Sequence, residues 1–308
     1  MIISQLKKTV QGILLENESM SKHTSYGIGG KVMAYITPYD VKDLIEIIKI
    51  INENNLKFYF VGSGSNLLVN DKRINAIIIT PAKALKSLTI KNNIISAESG
   101  TMLGRMVKEA IKHNLTGLES LVGVPGTLGG ALMMNAGAWG SEISNYLISV
   151  DVINTRGEIK KLYPKNIEFK YRHSSFKSDE FILSAEFKLR KATKVEIKKK
   201  KAIASKGRIS SQPLKYRSAG SVFKNPHEKL AAGYLIDKAG LKGMRFGEAE
   251  ISKHHGNFFI NHGNAKAIDI ARLIKLSRKT IYEKFGIMLE LELKTIGFKD
   301  LELYPYAI

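Results

Sequence analysis

Apolar residues recur at helical spacing in several stretches of the chain. One stripe is formed by Val41, Leu44, Ile45, Ile48 and Ile51. Asp40 stands immediately before this stripe, where a carboxylate can cap the first turn, and the pattern predicts a helix over 41–55. The same reasoning predicts helices at about 102–113, 228–239 and 265–284.

Short apolar runs bounded by turn-forming residues indicate β-strands. Residues 88–98 predict a hairpin that turns at Asn92-Asn93, and residues 181–189 alternate like a strand with one buried face. Further strands are predicted at 58–61, 76–80, 148–153 and 158–162. This mixture predicts an α+β fold, and the change of texture near residue 206 predicts a division into 1–205 and 206–308.

The chain has 308 residues, 44% of them hydrophobic and 25% charged, which is typical of a globular protein of about two domains. It contains no cysteine, so disulfides, zinc–thiolate sites, iron–sulfur clusters and thiol catalysis are excluded. No set of His and carboxylate residues has convincing ligand spacing, and we expect no metal site. The first residues lack the pattern of a secretory signal peptide, and the absence of cysteine suits a reducing compartment, so we expect a cytoplasmic protein.

Residues 121–141 carry no charge over a length that could span a bilayer. The stretch is interrupted by Gly123, Pro125, Gly126, Gly129, Gly130, Gly137 and Gly140. These residues oppose a continuous helix, and lipid would leave an irregular backbone without hydrogen bonds. We therefore interpret the stretch as a buried or ligand-lining loop and expect no membrane span.

The net charge of +20 at pH 7 suits a nucleic acid, an anionic membrane surface or a small polyanionic ligand. The basic residues are scattered along the chain. Their densest run, residues 190–201, is typical of an exposed strand end followed by the start of a helix. We expect no nucleic-acid partner, and a basic nucleic-acid or membrane-surface binding protein stays open as an alternative.

Two glycine-rich segments, 62–66 and 121–141, offer backbone N–H groups to an anion. The first lacks the dinucleotide fingerprint because Leu67 stands where that motif needs glycine. Neither segment has the Gly-Lys-Ser or Gly-Lys-Thr sequence of a nucleoside-triphosphate loop. Together, with the second segment uncharged, they suit a large, mostly apolar cofactor that carries a diphosphate.

Seven strings of the sequence occur in the order found in one enzyme family. They are HTSYGIGG (23–30), VGSGSNLLVND (61–71), GLESLVGVPGTLGGALMMNAGAWG (117–140), YRHSSF (171–176), AGSVFKNP (219–226), LIDKAGLKG (235–243) and LELELKTIG (289–297). On these strings the chain resembles the UDP-N-acetylenolpyruvoylglucosamine reductase (MurB) family over roughly residues 20–297, in its shorter subclass. His23 and Trp139 depart from the family, which usually has Asn and Tyr at these positions.

The resemblance implies an FAD-binding fold of the vanillyl-alcohol-oxidase type. It implies two α+β subdomains, at about 1–85 and 86–205, that hold non-covalent FAD, and an α+β substrate-binding domain at 206–308. The implied reaction is the NADPH-dependent reduction of the enolpyruvyl ether of UDP-N-acetylglucosamine to UDP-N-acetylmuramate, a step of peptidoglycan precursor synthesis. We expect the protein to be a monomer. A different flavoenzyme on the same fold, such as an oxidase of a small alcohol, is the alternative.

The family's motifs also imply roles for residues of this chain. The implied cofactor-binding positions are Gly62, Ser63, Gly64, Ser65, Asn66, Leu67, Gly123, Pro125, Gly126, Thr127, Gly130, Asn135 and Gly137. Lys224 and Asn225 correspond to the positions that contact the substrate diphosphate. Arg172, Ser221 and Glu292 correspond to the catalytic residues.

The implied reaction makes three demands on these residues. Hydride transfer to the enolpyruvyl group builds negative charge on the adjacent carbon and its carboxylate, which Arg172 would stabilise while Ser221 supplies a proton. Glu292 would be the second acid group. Residues 289–293 alternate like a strand, so Glu290 shares its face, and only the spacing within the family motif favours Glu292. Pattern alone would indicate a surface cation, a turn serine and a solvated strand carboxylate.

Overall fold

The computed structural model describes residues 2–306 and divides into two compact units. The first unit comprises the chain up to Asn17 together with Met33–Ser63 and Asn75–Arg208. The second unit comprises Glu18–Val32, Gly64–Ile74 and the chain from Ile209 onward. The division into ligand-binding domains at 1–205 and 206–308 stays a prediction.

The first unit contains a four-stranded sheet and two helices that share one core. The strands lie in the spatial order Ile13–Glu16, Val32–Thr37, Ile74–Ile79 and Phe58–Phe60. Helices Ile2–Thr9 and Val41–Glu53 contribute apolar side chains to the core. Asp40 caps the second helix, since its carboxylate accepts a hydrogen bond from the Asp43 N–H at 2.9 Å. The helix predicted at 41–55 is confirmed.

A five-stranded antiparallel sheet also belongs to the first unit. Its spatial order is Ile159–Leu162, Leu147–Asn154, Glu180–Lys188, Ile94–Glu98 and Leu88–Lys91. The last two strands form the hairpin predicted around Asn92-Asn93. Helix Leu103–Lys112 buries its apolar side in the same core cluster as the sheet. The predicted helix and the predicted strands of this region are confirmed.

Residues 121–141 differ from the predicted loop, because helix Leu128–Met133 lies in their middle. Glycine-containing segments have little intrinsic preference for helix. Here the segment is held by long-range hydrogen bonds, from the Leu128 N–H to the Thr101 carbonyl and from the Gly129 N–H to the Ser99 carbonyl, each 2.9 Å. Tertiary contacts that the sequence pattern does not reveal therefore fix this short helix.

The basic run forms a strand and a helix. Arg190–Lys191 pairs with Leu115–Thr116, and helix Lys194–Ser211 follows. The strand end and helix start predicted for 190–201 are confirmed.

Two short hairpins complete the first unit's strands: Gly137–Ala138 with Ser141–Glu142, and Phe169–Lys170 with His173–Ser174. The 3-10 helices among residues 2–306 are Met20–Lys22, Glu119–Leu121, Ile143–Tyr146 and Pro164–Asn166.

The second unit packs helices around a small antiparallel sheet. The sheet contains Arg245–Phe246, Ala249–Ile251 and Phe259–Asn261, and Leu67–Val69 forms a separate parallel pair with Lys294–Ile296. The helices are Ala232–Lys238, Ala267–Phe285 and Asp300–Leu303. Arg278 of the long helix is fully buried, and it donates hydrogen bonds to the carbonyls of Leu289 at 2.9 Å and Leu303 at 3.1 Å. Burial of an unpaired cation would destabilise the fold, and these two carbonyl acceptors offset that cost.

Within residues 2–306, no helix is both long enough and apolar enough to cross a lipid bilayer.

Candidate functional site

The two glycine-rich segments meet within the first unit. Strand Phe58–Phe60 leads to Gly62, and a Cβ atom at residue 62 would overlap the hydroxyl of Thr127. The Thr127 hydroxyl accepts a hydrogen bond from the Gly130 N–H at 3.5 Å and so caps the helix Leu128–Met133. Glycine at position 62 is therefore required for the close approach of the two segments.

A cavity of about 340 Å³ lies beside this contact, in the range of ligand-binding pockets. One wall is formed by Phe58, Tyr59 and Phe60, and the glycine segments supply Gly62, Thr127, Gly129 and Gly130. Ser99 also lines the cavity. The hydroxyls of Ser99 and of the nearby loop residue Ser63 are buried, and neither has a hydrogen-bond partner among residues 2–306. Buried polar groups of this kind normally have partners, so the cavity fits an apolar ligand with polar substituents.

The other predicted cofactor positions of the first unit all lie in the 121–141 stretch. They are Gly123, Pro125, Gly126, Thr127, Gly130, Asn135 and Gly137. Asn135 is fully buried at the end of the short helix. Its side-chain N–H₂ donates to the Glu142 carboxylate at 2.6 Å and to the Lys170 carbonyl at 3.2 Å.

Arg172 lies on the turn of the hairpin that pairs Phe169–Lys170 with His173–Ser174. Its φ is +51°, in the left-handed region that side chains with a Cβ atom rarely adopt. The guanidinium lies 5.1 Å from the ring centroid of Tyr171, which is a cation–π contact. The turn therefore holds the predicted catalytic arginine in a defined and uncommon conformation.

The remainder of the first glycine loop belongs to the second unit. Gly64 has a φ of +66°, its carbonyl accepts from the Ser25 N–H at 3.1 Å, and a Cβ there would overlap the His23 carbonyl. The Asn66 side chain donates to the Glu292 carbonyl at 3.0 Å, and the Asn66 carbonyl accepts from Lys294 at 3.1 Å. Ser65 lies between them, and Leu67 starts the strand that pairs with Lys294–Ile296. The loop is thereby tied to the segment that carries Glu292.

Ser221 and Glu292 lie on two segments that pair antiparallel. Phe223 faces Leu291 in this pairing. The N–H groups of Glu292 and Leu293 both donate to the Val222 carbonyl, at 2.9 and 3.2 Å. Two consecutive residues opposite one residue define a β-bulge. The regular strand predicted over 289–293 is therefore wrong, although Leu289 and Leu293 are buried as the alternation predicted.

Asn257 supports this segment, and sequence reasoning missed its role. Its side-chain oxygen accepts from the Phe223 N–H at 2.9 Å, and its side-chain N–H₂ donates to the Phe223 carbonyl at 2.8 Å. Residues 223 and 257 are 34 positions apart, so no local signal indicates the contact. The sequence shows an asparagine just after Gly256, and the structure shows that its side chain is buried.

The predicted substrate residues have protein partners. Lys224 forms an ion pair with Glu290, with 2.6 Å between Nζ and Oε1. Asn225 Oδ1 accepts from the Ala232 N–H at 3.1 Å at the start of the helix Ala232–Lys238. Both side chains are therefore ordered by the second unit itself.

The opening string HTSYGIGG is held by two residues that sequence reasoning did not single out. Arg217 donates to the carbonyls of Ser25 and Thr24 at 3.2 and 3.3 Å. Asn261 donates to the Tyr26 carbonyl at 2.9 Å. These contacts span more than 190 residues of sequence and cannot be read from local pattern.

The two family departures lie away from the catalytic positions along the chain. His23 Nε2 lies 3.0 Å from Glu18 Oε1. Burial by itself raises the pKa of Glu18, but hydrogen bonds from His23 and Lys22 outweigh it and hold the pKa below its ordinary value. The Trp139 indole occupies the space that a side chain at Gly207 would need. His23 therefore forms a largely buried hydrogen bond with Glu18, and Trp139 packs on the helix Lys194–Ser211.

Comparison with protein families matches both parts of the chain. Residues 212–296 match the family described as UDP-N-acetylenolpyruvoylglucosamine reductase, C-terminal domain, and residues 32–163 match an FAD binding domain. A UDP-N-acetylenolpyruvoylglucosamine reductase of Carboxydothermus hydrogenoformans is 40% identical over 95% of this chain and 97% of the relative. The chain belongs to the UDP-N-acetylenolpyruvoylglucosamine reductase family. Another member, from Caldicellulosiruptor bescii, is 42% identical over 94% of this chain and 93% of that relative.

Solved structures agree with this assignment. The UDP-N-acetylenolpyruvylglucosamine reductase of Thermus caldophilus has a TM-score of 0.79 and 32% identity, and the match covers 93% of this chain and 99% of that one. Phl p 4.0202, a glucose dehydrogenase, has a TM-score of 0.50 and 11% identity over 63% of this chain and 44% of that one, which shows the fold alone. The predicted α+β fold with an FAD-binding domain of the vanillyl-alcohol-oxidase type is confirmed, and this reductase-family member is an FAD oxidoreductase.

Proposed function

We propose that the protein reduces the enolpyruvyl ether of UDP-N-acetylglucosamine to UDP-N-acetylmuramate, with NADPH as the electron donor and non-covalently bound FAD. The observation that carries this proposal is the relatedness to reductases of that name along almost the whole of both chains. The chemistry that FAD supplies when bound is hydride transfer, from NADPH to the terminal carbon of the enolpyruvyl group. We also propose that the protein is a monomer in the cytoplasm.

The cofactor is assigned to the predicted glycine-segment positions and the cavity beside them. The aromatic wall of Phe58, Tyr59 and Phe60 offers apolar contact area, and the buried hydroxyls of Ser63 and Ser99 offer hydrogen bonds that no protein group uses among the described residues. Removal of these hydroxyls should weaken FAD binding. The assignment is supported by the two buried hydroxyls themselves, because without a ligand they have no hydrogen-bond partner among the described residues.

Three side chains act on the substrate in this proposal. Arg172 stabilises the negative charge that develops on the enolpyruvyl carboxylate, for which a guanidinium fork is well suited. Ser221 donates its hydroxyl proton to the carbon next to that carboxylate, and the resulting alkoxide is reprotonated from solvent. Glu292 is the second acid group, and its backbone bond to Val222 supports a role beside Ser221.

The diphosphate of the substrate is assigned to Lys224 and Asn225. Lys224 carries the charge that phosphate oxygens need, and its ion pair with Glu290 keeps the ammonium group ordered. The protein's net charge of +20 favours the approach of FAD, NADPH and a UDP-sugar, because all three are polyanions.

An anaerobic visible spectrum of the purified protein tests the proposal. We expect a flavin band that bleaches when NADPH is added and returns when the enolpyruvyl UDP-sugar follows. A band that bleaches but does not return would refute the substrate. Oxygen consumption with a small alcohol would favour the oxidase alternative. A protein that carries no flavin band after incubation with FAD and removal of the unbound FAD would refute the whole proposal.

A further inference from the structure

The turn that carries Arg172 needs support from outside itself. Lys170 pairs with His173, so the turn consists of Tyr171 and Arg172. Its second residue has a φ of +51°, and turns with positive φ at that position favour glycine or asparagine. A larger side chain persists in such a conformation only where the surrounding structure fixes the backbone. The contacts that hold this hairpin therefore help to determine where the Arg172 side chain points.

Two side-chain hydrogen bonds tie the hairpin to the 121–141 stretch. Asn135 donates to the carbonyl of Lys170, the residue at which the first strand enters the turn, at 3.2 Å. Ser174, on the returning strand, donates its hydroxyl to the Met133 carbonyl at 2.8 Å. The turn is thus held on both strands by residues at the end of one short helix.

Asn135 is itself fixed in place. It is fully buried, has a φ of +41°, and its backbone N–H donates to the Leu132 carbonyl at 3.1 Å. The second hydrogen of its side-chain N–H₂ is used by Glu142 at 2.6 Å, and an amide nitrogen has two hydrogens to donate. Both donors of the amide therefore serve the protein, one as an anchor and one as a support for the turn.

We propose that Asn135 is a positioning residue for Arg172: its amide, anchored by Glu142, fixes the turn at Lys170 and thereby directs the Arg172 guanidinium to the enolpyruvyl carboxylate. This inference rests on the proposed function. It adds to the role of Asn135 in cofactor binding, since the Asn135 side-chain oxygen is buried without a partner among residues 2–306. Weaker FAD binding would lower the flavin occupancy and so affect both half-reactions, whereas a misplaced Arg172 slows reoxidation alone, because Arg172 is needed only when the substrate is reduced.

Asn135→Gly tests the inference. Glycine adopts the left-handed backbone of residue 135 without strain, so the variant removes the two hydrogen bonds and keeps the chain path. Asn114→Gly is the matched control, since Asn114 is an exposed asparagine of the first unit with a φ of +56°. Both proteins are saturated with FAD, their flavin-to-protein ratios are matched to that of the unaltered protein, and the two half-reactions are followed by anaerobic stopped-flow absorbance. A turn displaced by a fraction of an ångström should slow reoxidation by the enolpyruvyl sugar by about 10- to 100-fold in Asn135→Gly. Reduction by NADPH should stay within about twofold, and Asn114→Gly should change neither rate.

A double-mutant comparison separates positioning from a general structural effect. If Asn135 acts through Arg172, adding Asn135→Gly to Arg172→Ala should slow reoxidation little beyond Arg172→Ala alone. Multiplied losses in the double variant would overturn the inference. So would equal losses in both half-reactions of Asn135→Gly, or an unchanged reoxidation rate in Asn135→Gly when Arg172→Ala is slow. If Arg172→Ala itself reoxidises normally, the proposed role of Arg172 fails, and this inference fails with it.

Substitutions at Glu142 give a second route if Asn135→Gly does not fold. Glu142→Ala removes the anchor of the Asn135 amide, whereas Glu142→Gln keeps a carbonyl that can accept the same hydrogen bond. We expect slower reoxidation in Glu142→Ala and recovery of the rate in Glu142→Gln. The change that the enolpyruvyl sugar induces in the oxidised flavin band gives a readout other than turnover. That change should be weaker in Glu142→Ala, and an unaltered band with an unaltered rate would overturn the inference.

Discussion

Lys224 and Glu290 form an ion pair in which Nζ lies 2.6 Å from Oε1. The same residues are joined through the backbone, since the Lys224 N–H donates to the Glu290 carbonyl at 2.9 Å. Glu292 lies two residues further along, and its N–H donates to Val222, the neighbour of Ser221. Two carboxylates that sequence alternation placed on one face therefore have different surroundings, and we expect their substitutions to have different effects.

Replacement of the two carboxylates should have unequal effects. Glu292→Gln removes an acid group from the proposed chemistry and should slow reoxidation of the flavin by the enolpyruvyl sugar by about 10²- to 10⁴-fold. Glu290→Gln removes an exposed ion pair and, at saturating enolpyruvyl sugar, should change the same rate by less than about threefold. Single-turnover absorbance with each variant measures both. A larger loss in Glu290→Gln than in Glu292→Gln would reverse the assignment.

Gly62→Ala should weaken FAD binding. The added methyl group would overlap the Thr127 hydroxyl, which cannot rotate away without losing its hydrogen bond to Gly130, and the overcrowding should cost about 1–3 kcal/mol of folding free energy. The flavin-to-protein ratio after purification and the thermal midpoint are the measurements.

Gly104→Ala is the control for this substitution. Gly104 lies in the helix Leu103–Lys112, and nothing lies within 4 Å of a Cβ atom there. Alanine should stabilise this helix by about 0.5–1 kcal/mol and leave the flavin content unchanged. If Gly62→Ala kept the same flavin content and thermal midpoint as Gly104→Ala, the close contact between the glycine segments would not matter for cofactor binding.

The stability of the protein should depend on pH through His255. Burial lowers the pKa of this imidazole below its ordinary value of 6.5, and its Nδ1 accepts from the Asn257 N–H at 3.1 Å, which an imidazolium cannot do. Below pH 6.5, His255 binds a proton more readily in the unfolded chain than in the folded protein. The contribution of neutral His255 to the free energy of unfolding is therefore present above that pH and is lost as the pH falls.

His255→Asn keeps a hydrogen-bond acceptor and does not titrate. Urea midpoints at pH 5, 6 and 7 should therefore fall less steeply with decreasing pH in His255→Asn than in the unaltered protein. Equal slopes for the two proteins would contradict a neutral, half-buried His255.

Elements with strong periodicity could be predicted from the sequence. The capped helix Val41–Glu53 and the hairpin around Asn92-Asn93 follow from local signals, because side-chain spacing and turn residues determine them. Helix Ile2–Thr9 and strand Ile13–Glu16 were missed. The full length of Lys194–Ser211 was missed as well, because the core receives only Ile197 and Ala204 from it and no apolar stripe results.

The residues of the candidate site could be predicted from the sequence, but the hydrogen bonds that join its distant segments could not. Motif strings indicated Arg172, Ser221 and Glu292, and these assignments stay predictions. The bulge opposite Val222 and the hydrogen bonds of Asn257 to Phe223 arise from pairing of distant segments. Alternation along one segment cannot reveal a bulge, since the extra residue is defined only by the partner strand.

In the proposed mechanism, the protein is a flavin reductase in which Ser221 supplies the proton to the enolpyruvyl substrate. Anaerobic stopped-flow measurement of Ser221→Ala tests it most directly, with the two half-reactions recorded separately. We predict reduction by NADPH within about twofold of the unaltered protein and reoxidation by the enolpyruvyl UDP-sugar slower by about 10²-fold or more. Equal losses in both half-reactions would contradict the claim, because Ser221 would then support the fold or the cofactor rather than donate the proton.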